Sequence, residues 1–225
     1  MNIRFGIAVK SILLPILFFT GCATAPQAQA NSSFKTCSDD PERQALRSQE
    51  LQTLAKEDQD DRTAPIDWER VSPRDETRRK RVGEIFGEGC LKSAADYSAA
   101  HLIYQHGTVP DHYFQAFLWA KKAYDLGATS KTWDIATGID RYLVHSGQKQ
   151  LFGTQFGQDS KDVWCIEPIE KTFPDSRRIE YLKMSLRESI AFFLKFYKSD
   201  QSPQDIRDCA HSLMPSPPGT VPGFW

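Results

Sequence analysis

"AADYSAAHLIYQHGTVPDHYFQAFLWAKKAYDLGA", residues 94–128, decides how this chain folds. Ser93 stands three residues before Asp96 at the head of an alanine-rich run, the pattern by which a hydroxyl and a carboxylate cap a helix start. The helix that follows is expected to bury Ala95, Ala99, Leu102, Ile103 and His106 along one stripe. Asp111 is placed to cap a second helix, and Gly127 to end it as a left-handed terminator. Two helices with so short a connection pack as an antiparallel pair.

The same punctuation recurs on both sides. Residues from Pro41 to Arg62 carry Leu51, Leu54 and Ala55 at helical spacing. Ser72-Pro73-Arg74-Asp75 reads as a helix start with Pro at the first position. Ser130 opens another helix, with Ile135, Ala136, Ile139, Tyr142 and Leu143 on its inner face. "KQLFGTQF" (149–156) and "DVWCIEPI" (162–169) are short and aromatic or β-branched, and suit an antiparallel hairpin turning through Gly157 to Lys161. A long helix is expected over Asp175 to Lys198, striped by Ile179, Leu182, Leu186, Ile190, Phe193 and Tyr197. A short one is expected after Ser202-Pro203-Gln204-Asp205. The fold class expected is mainly α, a helical globular domain of antiparallel helix pairs with one small β-hairpin.

The chain begins "MNIRFGIAVK SILLPILFFT GCATA". Arg4 and Lys10 precede a run from Ser11 to Phe19 that is too short to span a bilayer, for which about 20 apolar residues are needed. It has signal-peptide proportions. "FTGC" (19–22) resembles the lipobox of bacterial lipoproteins, which implies diacylation at Cys22 and cleavage before it. Several acyl chains hold a protein stably on a membrane, whereas one holds it only marginally. Ala23 rather than Asp after the cysteine implies outer-membrane attachment facing the periplasm. The domain plan is then a lipoprotein signal peptide at 1–21, a tether at 22–36, a single mainly helical domain at 37–212, and a Pro/Gly-rich irregular tail at 213–225.

Removing Arg4 and Lys10 from the 28 basic residues leaves 26, against 29 acidic. A near-neutral balance with alternating signs argues against nucleic acid as a partner. Beyond Cys22 lie Cys37, Cys90, Cys165 and Cys209. An oxidising compartment favours pairing them into two disulfides, with three connectivities open. Their wide spacing lacks a CxxC, so no zinc site or redox dithiol is expected. His101 and His112 stand five and six residues from His106, off the spacing of helical zinc pairs. No metal and no cofactor is expected, and the chain carries no GxSxG, HExxH, Walker or dinucleotide fingerprint.

Polar residues on inward faces are the remaining signal. Asp58 lies on the stripe of Leu51 and Leu54, with Arg62 one turn on and Gln59 beside Ala55. Such a pair facing inward must be matched and hydrogen-bonded. His106 follows Leu102 and Ile103 on its own stripe. Asp140 and Arg141 end one helix, and Arg177 and Arg178 begin another. These groups are expected to converge beside Gln150, Thr154 and Gln155, whose amides and hydroxyl could satisfy buried charges that Val and Ile could not. Gly153 reads as permitting a bulge or a positive φ.

Two resemblances add to this. Residues 94–128 resemble a single Sel-one-like helical repeat, in which small residues pack between antiparallel helices that face a partner. "EDQDDR" (57–62), "YQHG" (104–107), "IDRYLVHSGQKQLFGTQF" (139–156) and "EPIEKTFPDSRRIEYLKMSL" (167–186) together resemble domain-of-unknown-function family 6624. That resemblance spans Leu51 to Phe193. It implies a fold and a choice of residues without implying a reaction. The lipoprotein start, the cysteines and the Pro-rich tail depart from the family pattern and point to an envelope role.

Two function classes follow. The first is a lipid-anchored protein-binding module with a periplasmic protein partner, such as an immunity or envelope-assembly protein. The second is an envelope hydrolase or small-ligand-binding protein. It would use His106 as general base oriented by Asp58, with Arg62, Arg178 and Gln155 gripping the substrate. An open concave pocket lined by these groups favours the second class, and a sealed network favours the first.

Overall fold

Side-chain caps mark where four of the seven described helices begin. The computed structural model describes residues 36–63 and 65–225; the signal segment, Cys22 and the tether to residue 35 lie outside them. Among the described residues are seven helices: α1 (Pro41–Asp60), α2 (Trp68–Gly87), α3 (Ala94–Gln105), α4 (Pro110–Asp125), α5 (Thr132–His145), α6 (Asp175–Leu182) and α7 (Leu186–Phe196). Strands β1 (Phe156–Gln158) and β2 (Trp164–Ile166) form one antiparallel pair, with Gly157 opposite Cys165. The fold is mainly α with a small hairpin, as expected. No described helix is long and apolar enough to cross a membrane.

The α3–α4 pair follows its sequence signals closely. Ser93 and Asp96 form a reciprocal capping box. A cap of this kind contributes about 1 kcal/mol. Gly127 takes φ +108, and the amides of Gly127 and Ala128 return to the carbonyls of Tyr124 and Ala123, closing the end of α4. Two details differ. Asp111 makes no cap bond, because α4 starts at Pro110 with Val109 as its N-cap. The buried stripe of α3 is rotated to Asp96, Ala99, Ala100, His101, Ile103 and Gln105, so that Leu102 and His106 are half-buried and Ala95 is exposed. The capping carboxylate is drawn inward with its turn.

Further boundaries differ for local reasons. Helix α2 begins a turn before Ser72, capped by Asp67, so Pro73 lies inside it. The earlier start buries Val71 and aims Asp75 and Arg78 along the same stripe as Val82 and Ile85. Helix α5 starts at Thr132 without a side-chain cap rather than at Ser130. The helix expected over 175–198 is two helices. Lys183 turns left-handed at φ 59, and Ser185 with Glu188 forms a fresh capping box that starts α7. Residues 203–205 make a turn and no helix. The strands are three residues each, and residues 149–155 form a loop.

Two apolar clusters carry the helices. Leu51, Val82, Ile85, Ala100, Ile103 and Trp119 join α1 to α4. Phe117, Ile139, Leu143, Leu151, Phe152, Phe173 and Leu182 join α4, α5, the loop and α6. Gly138 allows α5 to cross close to α4, since a Cβ there would lie 3.0 Å from the Phe117 Cα, a tight contact. A third cluster of Ile166, Ile190 and Leu194 seats α7 on the hairpin. Of the three possible pairings, the cysteines adopt Cys37–Cys90 and Cys165–Cys209. Each such crosslink typically contributes about 2–4 kcal/mol. The tail has no helix or strand, yet Val221 is buried and Phe224 and Trp225 pack on the second cluster.

Candidate functional site

Helices α1 and α2 and the end of α3 bring an ionic cluster to the rim of a cleft. Asp58 is fully buried on α1. Its Oδ1 lies 3.1 Å from Arg62 Nη1, and its Oδ2 lies 2.8 Å from His106 Nδ1. Gln59 Nε2 donates to the same Oδ2 at 2.9 Å. Asp75 accepts from Arg62 at 2.6 Å and from Arg78 at 2.6 Å. Arg78 also reaches Asp61 at 2.8 Å, and Arg74 meets Asp61 at 2.9 Å. Burial raises the Asp75 carboxyl, but the bonds from Arg62 and Arg78 outweigh it and leave the group below its ordinary range. Asp58, Asp61 and Asp75 are thus balanced by Arg62, Arg74 and Arg78, with Arg70 on the solvent side at 4.0 Å from Asp61.

The cleft beside this cluster has a volume of about 410 Å³ and is open to solvent. Arg62, His106 and Gln155 line it, whereas Asp58, expected on its wall, is sealed behind them; Asp75, Arg79, Tyr113, Arg141 and His145 complete the lining. His106 sits at the C-cap of α3. A carboxylate can only accept, so its partner Nδ1 is the donor, and in the neutral imidazole Nε2 is then the free acceptor. Gly107 lets the chain leave the helix close to α4, since a Cβ there would overlap His112 Cβ. Tyr113 donates its hydroxyl to the Gly107 carbonyl at 2.7 Å and packs against the His145 ring. Burial pushes the His145 imidazole below its ordinary value, and the nearby Arg141 adds to this.

Arg79 and Arg141 differ from the cluster arginines. Arg79 Nη1 donates to the His106 carbonyl at 2.6 Å, and Arg141 Nη1 to the Gln105 carbonyl at 2.5 Å. Arg141 Nε also donates to Gln155 Oε1 at 3.1 Å, and its guanidinium lies over the Tyr113 ring. Burial depresses the Arg141 guanidinium from its usual value.

The remaining expected residues hold the loop that presents Gln155. Asp140 is fully buried and accepts from the amides of Leu151, Phe152 and Thr154 and from the Thr154 hydroxyl. Gln150, also fully buried, donates to the Gln155 and Glu167 carbonyls and accepts from the Gln155 amide. This explains why the stretch is not a strand: the amides of Lys149 and Gln150 meet the carbonyls of Met214 and Pro168, but those of Leu151, Phe152, Thr154 and Gln155 are turned to side-chain acceptors rather than to a ladder. Gly153 has φ +81, and a Cβ there would lie 2.6 Å from Leu186 Cδ1. Arg178 lies outside the cleft, donating to Leu151 O and Glu170 O and pairing with Asp175. Asp58, Gln59, Arg62, His106 and Gln155 therefore gather at the site, Thr154 links Gln155 to Asp140, and Asp140, Gln150 and Arg178 form its support.

Asp75, Arg79, Tyr113 and His145 are not among the expected site residues, whereas Arg141 is expected beside Gln155 and is found there. A signal existed for one of them. Asp75 falls on the period of Val71, Arg78, Val82 and Ile85, so a carboxylate was bound to be buried there with a partner. Tyr113 and His145 carry no comparable mark in the sequence.

Neither the curated proteins nor the solved structures give a match. The model of the family of unknown function DUF6624 matches residues 86–199. That range holds His106, Tyr113, Arg141 and Gln155 and stops short of Asp58, Arg62, Asp75 and Arg79. Covering just over half of the sequence, it establishes that the chain belongs to the family of unknown function DUF6624.

Proposed function

We propose that this protein is a lipid-anchored envelope protein whose cleft binds a small molecule and acts on it by acid–base chemistry, as a hydrolase. The observation that supports this reading is the bond of His106 Nδ1 to the fully buried Asp58, at 2.8 Å, beside an open cleft. The carboxylate fixes the ring's orientation and tautomer and leaves Nε2 to take a proton from a water or hydroxyl. Gln155 supplies neutral hydrogen-bonding groups beside it, and Arg62 ties the rim to Asp75. Two disulfides are consistent with an oxidising compartment, and the lipobox-like Cys22 supplies the mooring in this reading.

The mature protein incubated with a fractionated envelope extract and followed by mass spectrometry tests this. The expected result is a component consumed by the wild type and spared by His106→Gln. An extract left equally unchanged by both proteins contradicts the reading.

A second reading, a module that docks a periplasmic protein, is favoured by Phe192 and Phe196. They stand one turn apart on α7, 45% and 67% exposed. Apolar side chains this exposed and adjacent suit a partner surface. Phe196→Ser abolishing capture of a periplasmic protein would favour this reading over the first.

A further inference from the structure

We propose that Arg79 and Arg141 form an oxyanion receptor, so that the molecule taken into the His106 cleft carries a carboxylate or phosphoryl group. This rests on the cleft being a ligand site, as proposed above.

Charge balance supports the inference. Around the cleft, Asp58, Asp61 and Asp75 are already matched by Arg62, Arg74 and Arg78. Among the described residues, neither Arg79 nor Arg141 lies within 4.0 Å of a carboxylate oxygen, the reach of the ion pairs found elsewhere in the molecule. Arg79 is 7% exposed, so its charge is not simply in water. A buried guanidinium without a counter-charge is costly unless something neutralises it.

The protein supplies part of that neutralisation. Both side chains donate to the last carbonyls of α3, Gln105 O and His106 O. A helix C-terminus carries about half a negative charge. Two full positive charges therefore exceed what the helix end offers. Simple capping of α3 accounts for their position and not for their number.

Geometry directs the remainder at the cleft. Each guanidinium has five N–H donors in a planar fork suited to carboxylate or phosphoryl oxygens. Arg79 spends one nitrogen's donor on the His106 carbonyl, and Arg141 spends donors on Gln105 and Gln155. Both side chains line the cleft together with His106 and Gln155. An oxyanion held there would bring its neighbouring atoms to His106, with Gln155 and the Tyr113 ring beside it.

The test uses the mature full-length protein and four probes: inorganic phosphate, acetate, glycerol 3-phosphate and neutral glycerol. Isothermal titration measures affinity, and NMR of the histidine side chains reports whether His106 is perturbed. The expected result is binding of at least one of the three anions with perturbation of His106. Arg141→Gln and Arg79→Gln should each weaken it by about tenfold or more, as for removal of one charged partner. Lys121→Gln, an exposed residue paired with Asp125 on α4, should leave it unchanged.

If the arginine variants fail to fold, salt dependence replaces them. Anion affinity on the wild type should fall steeply between about 0.05 and about 0.5 M salt. Response to phosphate and glycerol 3-phosphate alone assigns a phosphoryl ligand, and response to acetate a carboxylate. If His106 responds to glycerol and to no anion, the oxyanion receptor is refuted and the ligand cleft stands. If none of the four probes perturbs His106, the oxyanion receptor is refuted. The hydrolase reading is then judged by the extract experiment alone.

Discussion

His106 and Asp58 are 48 residues apart in sequence and meet at 2.8 Å, imidazole Nδ1 to carboxylate Oδ2. The carboxylate is inaccessible, whereas the His106 side chain is 21% exposed. One partner therefore belongs to the packed interior and the other to the cleft. This asymmetry sets different consequences for removing each.

Asp58→Ala leaves Arg62 and Arg78 with one fewer counter-charge in a buried cluster, and His106 without its orienting partner. Urea denaturation should show a loss of about 3 kcal/mol, as when one member of a buried ion pair is deleted. His106→Ala should cost about 1 kcal/mol, within the range of an ordinary partly exposed substitution. Equal losses would mean that the imidazole is a structural member of the cluster.

Gly153→Ala meets two obstacles, a positive φ and a Cβ 2.6 Å from Leu186 Cδ1. It should destabilise by about 1–3 kcal/mol. In the background of Leu186→Ala the contact penalty disappears and the φ penalty remains, so the two substitutions should be non-additive. A thermal-denaturation cycle on the four proteins checks this.

Asp140→Asn replaces an acceptor with a group that is half donor, facing three amides and a hydroxyl. At least one donor loses its partner, at a cost of about 1–3 kcal/mol. Amide exchange at Leu151, Phe152 and Thr154 should accelerate more than exchange in α1. Uniform acceleration would mean that Asp140 does not act through the loop.

Stability should fall on mild acidification. Burial holds the His101 imidazole below its ordinary value of 6.5, and desolvation does the same to His112 and His145. The unfolded chain therefore binds protons before the folded one does. The contribution is fully present above about 6.5 and is lost as pH falls through the lower folded values. A second loss follows below the ordinary 4.5 of Glu50 and Glu88, which bonds from Arg81 and Arg47 hold down. The urea midpoint should drop between about pH 7.5 and about pH 5.5. His101→Gln should flatten that drop, and an unchanged profile would show that His101 titrates without linkage to folding.

Much of this architecture can be read from residues that act locally. Ser93 with Asp96 and Gly127 mark their helix ends because a cap involves only near neighbours. Asp58 is legible as an inward charge because a helical stripe fixes which face a residue takes, whereas Arg62 and His106 lie just past the ends of α1 and α3 and are placed by their contacts with Asp58. The break at Lys183 was hidden because Leu182, Leu186, Ile190 and Phe193 continue one helical period across it, and only Ser185 with Glu188 marks the restart. The residues of "KQLFGTQF" resemble a strand, yet the amides of Leu151, Phe152 and Thr154 are claimed by Asp140, eleven or more residues away, a competition with no local trace. Arg79 and Arg141 gain their meaning only from where the end of α3 falls in space.

The most direct test of the account is side-chain ¹⁵N NMR of His106 in the mature protein at neutral pH. The account predicts a proton on Nδ1 held by Asp58 and an unprotonated Nε2 facing the cleft, an arrangement lost in Asp58→Asn. A protonated Nε2 with Nδ1 as acceptor would contradict it.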